Sequence, residues 1–386
     1  MSLLADKDKQ FIAGTYNRFP VGIESGNGSL LIGTDGKEYI DLGSGIGVTA
    51  FGINDNEWKN AVIEQLNLVQ HTSNLYYTKP CVELAEMLCN KTGMSKVFFG
   101  NSGAEANECA IKVARKYATE KKGSEFNVIV TLEGSFHGRT LTTLAATGQE
   151  HYHELYNPLT PGFIHTPVND IDALYKTVSE NKVAGILFEC IQGEGGVNNL
   201  NPDFVKALEK VARENDIVLM VDEVQTGNGR TGKLYSYMNY GIKPDVVTTA
   251  KGLGGGLPIG AAILSQKVEN VLGFGDHGST YGGNPIACAA GVSVISRIDE
   301  DLLNDVAKKG EFIRESLKGL EGVEAISGMG LMVGIKTVKP AAEVVRKCME
   351  KGVLCLTAKD RVRLLPALNI DWNLLEKAVN IIKESL

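Results

Sequence analysis

The sequence lacks any long uninterrupted apolar run. No segment contains the roughly 18 consecutive apolar residues that a membrane-spanning helix requires. The opening stretch, MSLLADKDKQ, also lacks the apolar core of a secretory signal. We therefore expect a protein of the cytoplasm that has no membrane partner.

Paired cysteines and clustered histidines are missing as well. The seven cysteines are scattered without a Cys-x-x-Cys pair, which is typical of reduced thiols in a reducing compartment. The six histidines show no spacing that suits a metal, and His151 and His153 lie only two positions apart in a polar loop. The sequence therefore predicts neither a disulfide framework nor a bound metal.

Positive charge is in the minority and is not concentrated anywhere. The chain has 39 Lys and Arg residues against 46 Asp and Glu, which gives a formal net charge of −7. No basic run is longer than a few residues, so we do not expect nucleic acid as a partner. The phosphate-loop pattern G-x-x-x-x-G-K-[ST] is also absent, which excludes nucleotidases of that class.

The chain has instead a regular alternation of strand-like apolar runs and amphipathic helical segments. Strands are predicted at 96–99, 127–132, 184–189, 217–221, 246–250 and 259–264. Helices are predicted at 57–70, 81–92, 105–121, 170–180, 203–214 and 286–297. This alternation is typical of an α/β protein with a mainly parallel sheet and helices on both faces.

The 386 residues provide enough chain for more than one domain. We assign 51–276 to a large domain and 277–386, which is richer in charge, to a smaller α+β domain with two amphipathic helices. Residues 1–50 contain a hairpin around Asp35-Gly36, and we expect this segment to pack with the small domain.

Two ionisable side chains follow buried strands in the middle of the sequence. Asp222 comes directly after the apolar run at 217–221, and Lys251 comes directly after the run at 246–250. In open parallel sheets, ligands bind at the carboxyl ends of the strands. An Asp–Lys pair that only ties two strands together is the alternative, but buried ion pairs stabilise poorly relative to apolar packing. The pattern therefore favours a ligand site.

The chemistry of this pair suits pyridoxal phosphate. A lysine in a dry pocket loses its proton more easily, and it can then form a Schiff base with the cofactor. A carboxylate opposite the ring nitrogen keeps the pyridine protonated, and the protonated ring stabilises a carbanion. Lys251 and Asp222 can perform these two functions.

Two more segments follow predicted strands. Gly103 lies at the start of an amphipathic helix, where backbone amides can bind a phosphate, although Ser102 and Glu105 also match an ordinary capping box. In the stretch LEGSFHGRT, Phe136 can cover a flat ring and Arg139 can bind a carboxylate with two hydrogen bonds. Each of these patterns alone is weak.

The stretch at 227–232, GNGRTG, matches the dinucleotide-binding pattern. A true fingerprint continues into a helix, and an acidic residue ends the next strand. Here the continuation KLYSYMNYGIKPD has no sustained apolar stripe, and the next strand is followed by Lys251. A nicotinamide-dependent dehydrogenase therefore becomes the second hypothesis.

Taken together, these motifs resemble the class III, or ω-amino acid, pyridoxal-phosphate aminotransferases. The resemblance covers nearly the whole chain, through TYNRFPV, NSGAEANE, SFHGRT, ECIQGEGGV, VDEVQTGNGRTG, TTAKGLGGGLPIGA, GSTYGGNP and VRLLPALNI. It implies the type I fold of these enzymes, with a seven-stranded, mainly parallel sheet, and a homodimer with composite sites. Within the family, the chain is most similar to the branch that acts on N-acetylornithine in arginine biosynthesis.

The resemblance also implies a role for individual residues. Lys251 would be the Schiff-base lysine, Asp222 would pair with the ring nitrogen, and Thr280 would reach the phosphate across the dimer. The implied cofactor contacts are Ser102, Gly103, Ala104, Phe136, Asp222, Glu223, Val224, Gln225, Lys251 and Thr280. Two residues depart from the usual pattern, since Cys190 replaces a frequent proline and Ala104 a frequent threonine.

The implied reaction moves the terminal amino group of N-acetylornithine to 2-oxoglutarate and gives glutamate. Arg139 and Ser279 would contact acetylornithine, and Arg363 would bind the α-carboxylate of glutamate. Glu194 would neutralise Arg363 when the substrate has no carboxylate there. Ornithine, succinylornithine, 4-aminobutyrate and aminoadipate-semialdehyde enzymes share nearly all of these residues and remain alternatives. A catalytically silent binding protein is a further alternative, but its expected mark, the loss of Lys251 or Asp222, is absent.

Overall fold

The computed structural model describes residues 2–386. Its helices are α1 (Ser2–Phe11), α2 (Ser44–Gly47), α3 (Asn56–Leu68), α4 (Lys79–Thr92), α5 (Gly103–Lys122), α6 (Leu141–Ala146), α7 (Ile171–Glu180), α8 (Pro202–Glu214), α9 (Pro285–Ser296), α10 (Glu300–Leu317), α11 (Ala341–Glu350) and α12 (Trp372–Lys383). Short 3₁₀ turns occupy Glu150–Tyr152, Ser236–Asn239 and Lys251–Leu253. None of the described helices is long and apolar enough to cross a membrane.

The strands follow the predicted alternation. They are β1 (Ile23–Asn27), β2 (Leu30–Gly33), β3 (Glu38–Asp41), β4 (Lys96–Gly100), β5 (Val128–Leu132), β6 (Phe163–Thr166), β7 (Val183–Phe188), β8 (Ile191–Gln192), β9 (Asn198–Asn199), β10 (Val218–Asp222), β11 (Val246–Thr249), β12 (Gly260–Leu264), β13 (Val323–Met329), β14 (Met332–Thr337), β15 (Val353–Leu354), β16 (Leu356–Ala358) and β17 (Arg361–Leu364).

Seven strands form the central sheet, in the order β4-β12-β11-β10-β7-β5-β6. All of them run parallel except β12, which is antiparallel to both β11 and β4. Every residue of β7 and of β10 is buried, because helices cover both faces of the sheet. The α/β class with a mainly parallel sheet is thus confirmed.

The register of β10 and β11 brings the two predicted strand ends together. Asp222 is the last residue of β10 and pairs with Thr248 of β11, three residues before Lys251. Parallel neighbours end at the same edge of a sheet, so both side chains lie at the carboxyl edge. The ligand site predicted from the strand ends therefore lies at the carboxyl edge of β10 and β11.

Besides the two-stranded pair of β8 and β9, two four-stranded sheets flank this core. The hairpin predicted at Asp35-Gly36 is formed by β2 and β3, and β3 pairs in parallel with β15 near the C-terminus. The other sheet has the order β13-β14-β17-β16. The described residues after 297 form three helices, α10 to α12, where two had been predicted. The proposed domain boundaries 1–50, 51–276 and 277–386 stay a prediction.

The stretch at 227–232 begins no helix and forms turns instead. Arg230 within it is buried, and its guanidinium donates to the backbone carbonyls of Leu331 and Pro366. The Leu331 amide in turn donates to the Arg230 carbonyl at 2.9 Å. The stretch thus ties the central sheet to the C-terminal segment. It does not lead into the helix that a dinucleotide-binding loop requires, which argues against the dehydrogenase hypothesis.

Candidate active site

A cavity of about 370 Å³ opens at the carboxyl edge of β10 and β11. Of the predicted cofactor residues, those that line it are Ser102, Gly103, Ala104, Phe136, Asp222, Val224, Gln225 and Lys251. Segments that are far apart in the sequence therefore meet in one cavity. Two predicted cofactor residues, Glu223 and Thr280, do not line it.

Lys251 presents an unpartnered amine to this cavity. Its Nζ makes no hydrogen bond and no ion pair with any residue of 2–386. Burial lowers the pKa of Lys251, while the nearby carboxylates of Glu194 and Asp222 act in the opposite direction. The residue has a φ of +44°, a left-handed conformation that costs a lysine energy. The fold thus holds an easily deprotonated amine at this position.

Three donors fix the carboxylate of Asp222. Its Oδ2 accepts from Asn107 Nδ2 and from His137 Nδ1, each at 2.8 Å. Its Oδ1 accepts from the Val224 amide at 3.0 Å. Asn107 is held in turn, because its Oδ1 accepts from Thr248 Oγ1 at 2.7 Å. The carboxylate therefore has one orientation in the cavity. His137 and Asn107 lie within motifs of the sequence, but their support of Asp222 was not predicted.

The start of α5 offers free backbone donors to the same cavity. Ser102 Oγ accepts from the Glu105 amide at 3.2 Å, and Glu105 Oε2 accepts from the Asn101 amide at 2.8 Å. The amides of Gly103 and Ala104 have no acceptor among residues 2–386. A Cβ on Gly103 would lie 2.6 Å from Val224 Cγ1, so this approach requires glycine. Such amides at a helix start bind phosphate.

These features fit pyridoxal phosphate. An unpartnered amine, a fixed carboxylate and two free amides are the groups that hold its aldehyde, ring nitrogen and phosphate. Phe136 and Val224 add apolar walls to the same cavity, as a flat aromatic ring requires. In the described part of the chain, no group of three or more metal-ligating side chains comes together.

Glu194 and Arg363 form the ion pair that the family resemblance implied, and Arg363 is buried while Glu194 is half-buried. Arg363 Nη1 donates to Glu194 Oε1 at 2.6 Å and to Gln225 Oε1 at 3.1 Å. Gln225 Nε2 donates to the same Glu194 oxygen at 3.3 Å. Burial by itself would raise the pKa of Glu194, but the Arg363 guanidinium holds it below its usual value. The two side chains come from distant segments, 169 positions apart.

Glu223 points away from the cavity. Its carboxylate accepts from Thr226 Oγ1 and Ser236 Oγ, each at 2.6 Å, and from the Tyr237 amide at 2.8 Å. Burial raises the pKa of Glu223, and these donors counteract the increase. The side chain therefore fixes the loop after β10, and the cofactor contact expected of Glu223 stays a prediction.

Two predicted substrate residues, Arg139 and Ser279, and the predicted phosphate contact Thr280 lie outside the cavity. Ser279 Oγ accepts from Asn101 Nδ2 at 3.1 Å, and Asn101 itself lines the cavity. Thr280 is exposed on the surface beside it. Arg139 is also exposed, and its guanidinium lies over the ring of Tyr152. Within one chain, only Ser279 is linked to the cavity by a hydrogen bond.

Glu189 lines the cavity and was not predicted as a site residue. It follows β7, and its carboxyl oxygens accept from the Phe136 amide at 3.2 Å and the Gly193 amide at 3.4 Å. Burial and then the neighbouring Asp222 raise the pKa of Glu189 well above its ordinary value. The rule that identified Asp222, a carboxylate directly after a buried strand, applies equally to Glu189.

Comparison with known proteins adds independent findings. The family model "Aminotransferase class-III" matches residues 11–386. An acetylornithine aminotransferase from Haemophilus ducreyi is 46% identical over 98% of this chain and 97% of its own length. The crystal structure of ornithine aminotransferase from Toxoplasma gondii superimposes with a TM-score of 0.95 at 30% identity, covering 99% of this chain and 94% of that one. N-acetylornithine aminotransferase from Stenotrophomonas maltophilia gives a TM-score of 0.84 at 32% identity, with 96% of both chains covered.

Proposed function

The chain belongs to the class III aminotransferases, which depend on pyridoxal phosphate, and on that premise we propose that it transfers the terminal amino group of N-acetylornithine to 2-oxoglutarate. This step fits arginine biosynthesis. Relatives at 40–46% identity over nearly the full chain are named acetylornithine aminotransferase, which supports this substrate. The observation that carries the proposal is one cavity that joins Lys251 and Asp222 and borders the Glu194–Arg363 pair.

The residues of the cavity divide the chemistry among them. Bound pyridoxal phosphate supplies an electron sink and a carrier for the amino group. Lys251 would hold the cofactor through Nζ, and during turnover its free amine would move a proton to and from the substrate carbon that bears nitrogen. Asp222 would hold negative charge opposite the ring nitrogen. The Gly103 and Ala104 amides would bind the phosphate.

The two amino donors differ in where they carry a carboxylate. Arg139 would bind the carboxylate that lies far from the reacting amine in N-acetylornithine and in glutamate. Only glutamate has a second carboxylate next to the reacting carbon, and Arg363 would bind it. The 2.6 Å contact between Glu194 and Arg363 supports a switch, because Glu194 neutralises the arginine when no carboxylate is present.

The substrate proposal is tested with a panel of amino donors and 2-oxoglutarate. We expect kcat/KM for N-acetylornithine to exceed the values for ornithine, N-succinylornithine and 4-aminobutyrate. A pocket discriminates only ~10–200-fold per methylene, so the whole panel must be measured under the same conditions. A higher value for any other donor would replace N-acetylornithine in the proposal. Failure of every donor to yield glutamate would refute the reaction itself.

Glu194→Ala tests the switch between the two donors. Without Glu194, no carboxylate of the protein pairs with Arg363, so the half-reaction with glutamate should become faster or tighter. The half-reaction with N-acetylornithine should become slower, because a buried charge then faces a substrate that cannot pair with it. Single-turnover spectra with each donor measure the two half-reactions separately. Equal losses in both would make Glu194 a structural residue.

We further propose a homodimer with shared sites. The segments around 71–77 and 274–281 adjoin, since His71 and Tyr281 have ring centroids 5.2 Å apart. Their side chains are unusually exposed for apolar groups, with Leu75 at 87% and Tyr77 at 100%. Exposed apolar surface of this kind marks a protein interface. Thr280 lies on this surface and could therefore complete the cavity of a second copy.

Complementation between two impaired variants tests this shared site. Thr280→Ala and Lys251→Ala homodimers should each lose most of their activity. A mixed dimer has one site with Lys251 from one copy and Thr280 from the other, so co-expression should restore activity to about half of the wild-type value per dimer, one site of two. The measurement is the specific activity of the mixed dimer, purified through two different tags. A mixed dimer no more active than its parents would place Thr280 in the site of its own chain.

A further inference from the structure

Arg139 has an unusual environment for an arginine expected to bind substrate. It lies in the loop after β5, and it makes no ion pair or hydrogen bond with any of residues 2–386. Its guanidinium carbon instead lies 4.3 Å from the ring centroid of Tyr152 and 5.6 Å from that of Phe136. The contacts of the guanidinium are therefore with ring faces.

Tyr152 is held in place by the segment that precedes it. The Gly134 amide donates to the Gly148 carbonyl at 2.7 Å, and Gln149 Nε2 donates to the Ser135 carbonyl at 3.0 Å. These bonds join the turn at Glu150–Tyr152 to the loop that carries Phe136 and Arg139. The backbone amide of Tyr152 itself donates to the Gln149 carbonyl at 3.1 Å. The backbone of Tyr152 is thus tied to the loop that carries the arginine.

Stacking suits a binding arginine better than an ion pair would. A carboxylate partner would occupy the N–H donors at the edge of the guanidinium. A ring under its face leaves those donors free for a substrate carboxylate. The stack also limits the rotamers of a long exposed side chain, so less conformational entropy is lost when substrate binds.

The same tyrosine also contacts the predicted cofactor site. The Tyr152 and Phe136 rings meet edge to face, with centroids 5.9 Å apart and an interplanar angle of 67°. Phe136 lines the cavity. One side chain therefore touches both the wall of the cavity and the arginine outside it, which sets the distance between the two.

We propose that Tyr152 positions Arg139 to bind the substrate carboxylate that lies far from the reacting amine. This role rests on the proposed function, because it requires a carboxylate-bearing substrate. Tyr152 touches neither substrate nor cofactor in this assignment and acts only through Arg139 and Phe136. It therefore contributes to the affinity for substrates that carry a carboxylate at that position.

The test compares Tyr152→Leu with Tyr152→Phe. The leucine variant lacks the ring and should raise KM for N-acetylornithine about three- to tenfold, as the loss of a cation–π contact predicts, with kcat nearly unchanged. The phenylalanine variant keeps the ring and should retain the wild-type KM. N-acetyl-1,4-diaminobutane is N-acetylornithine without its carboxylate, and kcat/KM for this donor should be the same in wild type and in both variants.

Further variants separate positioning from general damage. Tyr156→Leu changes an exposed tyrosine of the same loop and should leave every parameter unaltered. In an Arg139→Ala background, Tyr152→Leu should have no additional effect on KM. Tyr152→Met gives a second ring-free variant in case the leucine variant does not fold, and thermal unfolding verifies the fold of each. Equal losses with both donors, or a phenylalanine variant as poor as leucine, would overturn the proposal.

A failure of the role proposed for Tyr152 can be distinguished from a failure of the proposed substrate. If wild-type protein does not accept N-acetylornithine, the proposed substrate is wrong. The comparison then uses the carboxylate-bearing donor that the enzyme does accept, together with its decarboxylated analogue. An effect of Tyr152→Leu that is confined to the carboxylate-bearing donor would still support the role of Tyr152, and its absence would refute it.

Discussion

Lys251→Ala is expected to remove both the visible absorbance of the purified protein and all measurable amino transfer. The structure explains this expectation, because the cavity contains one unpartnered amine, and burial favours its reactive neutral form. Alanine offers no amine, so the cofactor loses its attachment and the substrate carbon loses its proton carrier. Absorbance spectra and a glutamate-formation assay measure the two losses separately.

Lys267→Ala is the matched control for this variant. Lys267 donates to the Ile217 carbonyl at 3.1 Å, just before β10, and therefore lies at the opposite edge of the same sheet. We expect the control to retain its colour and its activity, even though Lys267 pairs with Asp216 and Asp245. A Lys251→Ala protein that keeps its absorbance band and full turnover would remove Lys251 from the site.

Asp222→Asn is expected to retain the cofactor but to lose at least about a hundredfold in kcat, which is the usual cost of removing an electrostatic group aimed at developing charge. The structure adds a second reason for the loss. An asparagine at this position can accept from His137 and Asn107 only by turning its amide nitrogen toward the Val224 amide, which is also a donor. The variant thus loses the negative charge and gains a donor–donor conflict.

Asp245→Asn is the control for the carboxylate. Asp245 Oδ2 accepts from the Leu219 amide at 3.0 Å near the start of β10, away from the cavity. This variant removes a carboxylate next to the same strand, and we expect kcat to stay near the wild-type value. A near wild-type kcat for Asp222→Asn would contradict the electron-sink role of Asp222.

Local patterns predicted those parts of the site that depend on local rules. Asp222 and Lys251 were found because each follows a buried strand, and the cap at Ser102 and Glu105 was visible as a spacing. The family resemblance, rather than spacing, supplied Glu194 and Arg363, because a contact between distant segments leaves no periodic signal. The structure shows that this contact is made.

Other features could not be predicted because they depend on the tertiary arrangement. The antiparallel direction of β12 follows from its place between β4 and β11, which an apolar run does not encode. The bonds of the Glu223 carboxylate to the loop after β10 were not predicted either, because they join residues up to 14 positions apart. Tyr152 lies in a polar stretch, and only the bonds between that stretch and the loop after β5 make it a neighbour of Arg139.

The most direct test of the site is to identify the residue that carries the cofactor. Borohydride makes the bond between pyridoxal phosphate and its lysine stable to digestion, so mass spectrometry can locate the modified peptide. We predict a single modified peptide that contains Lys251, and no modification in the Lys251→Ala protein. A cofactor attached to another lysine, or modification that persists in the variant, would contradict the assignment of this cavity as the active site.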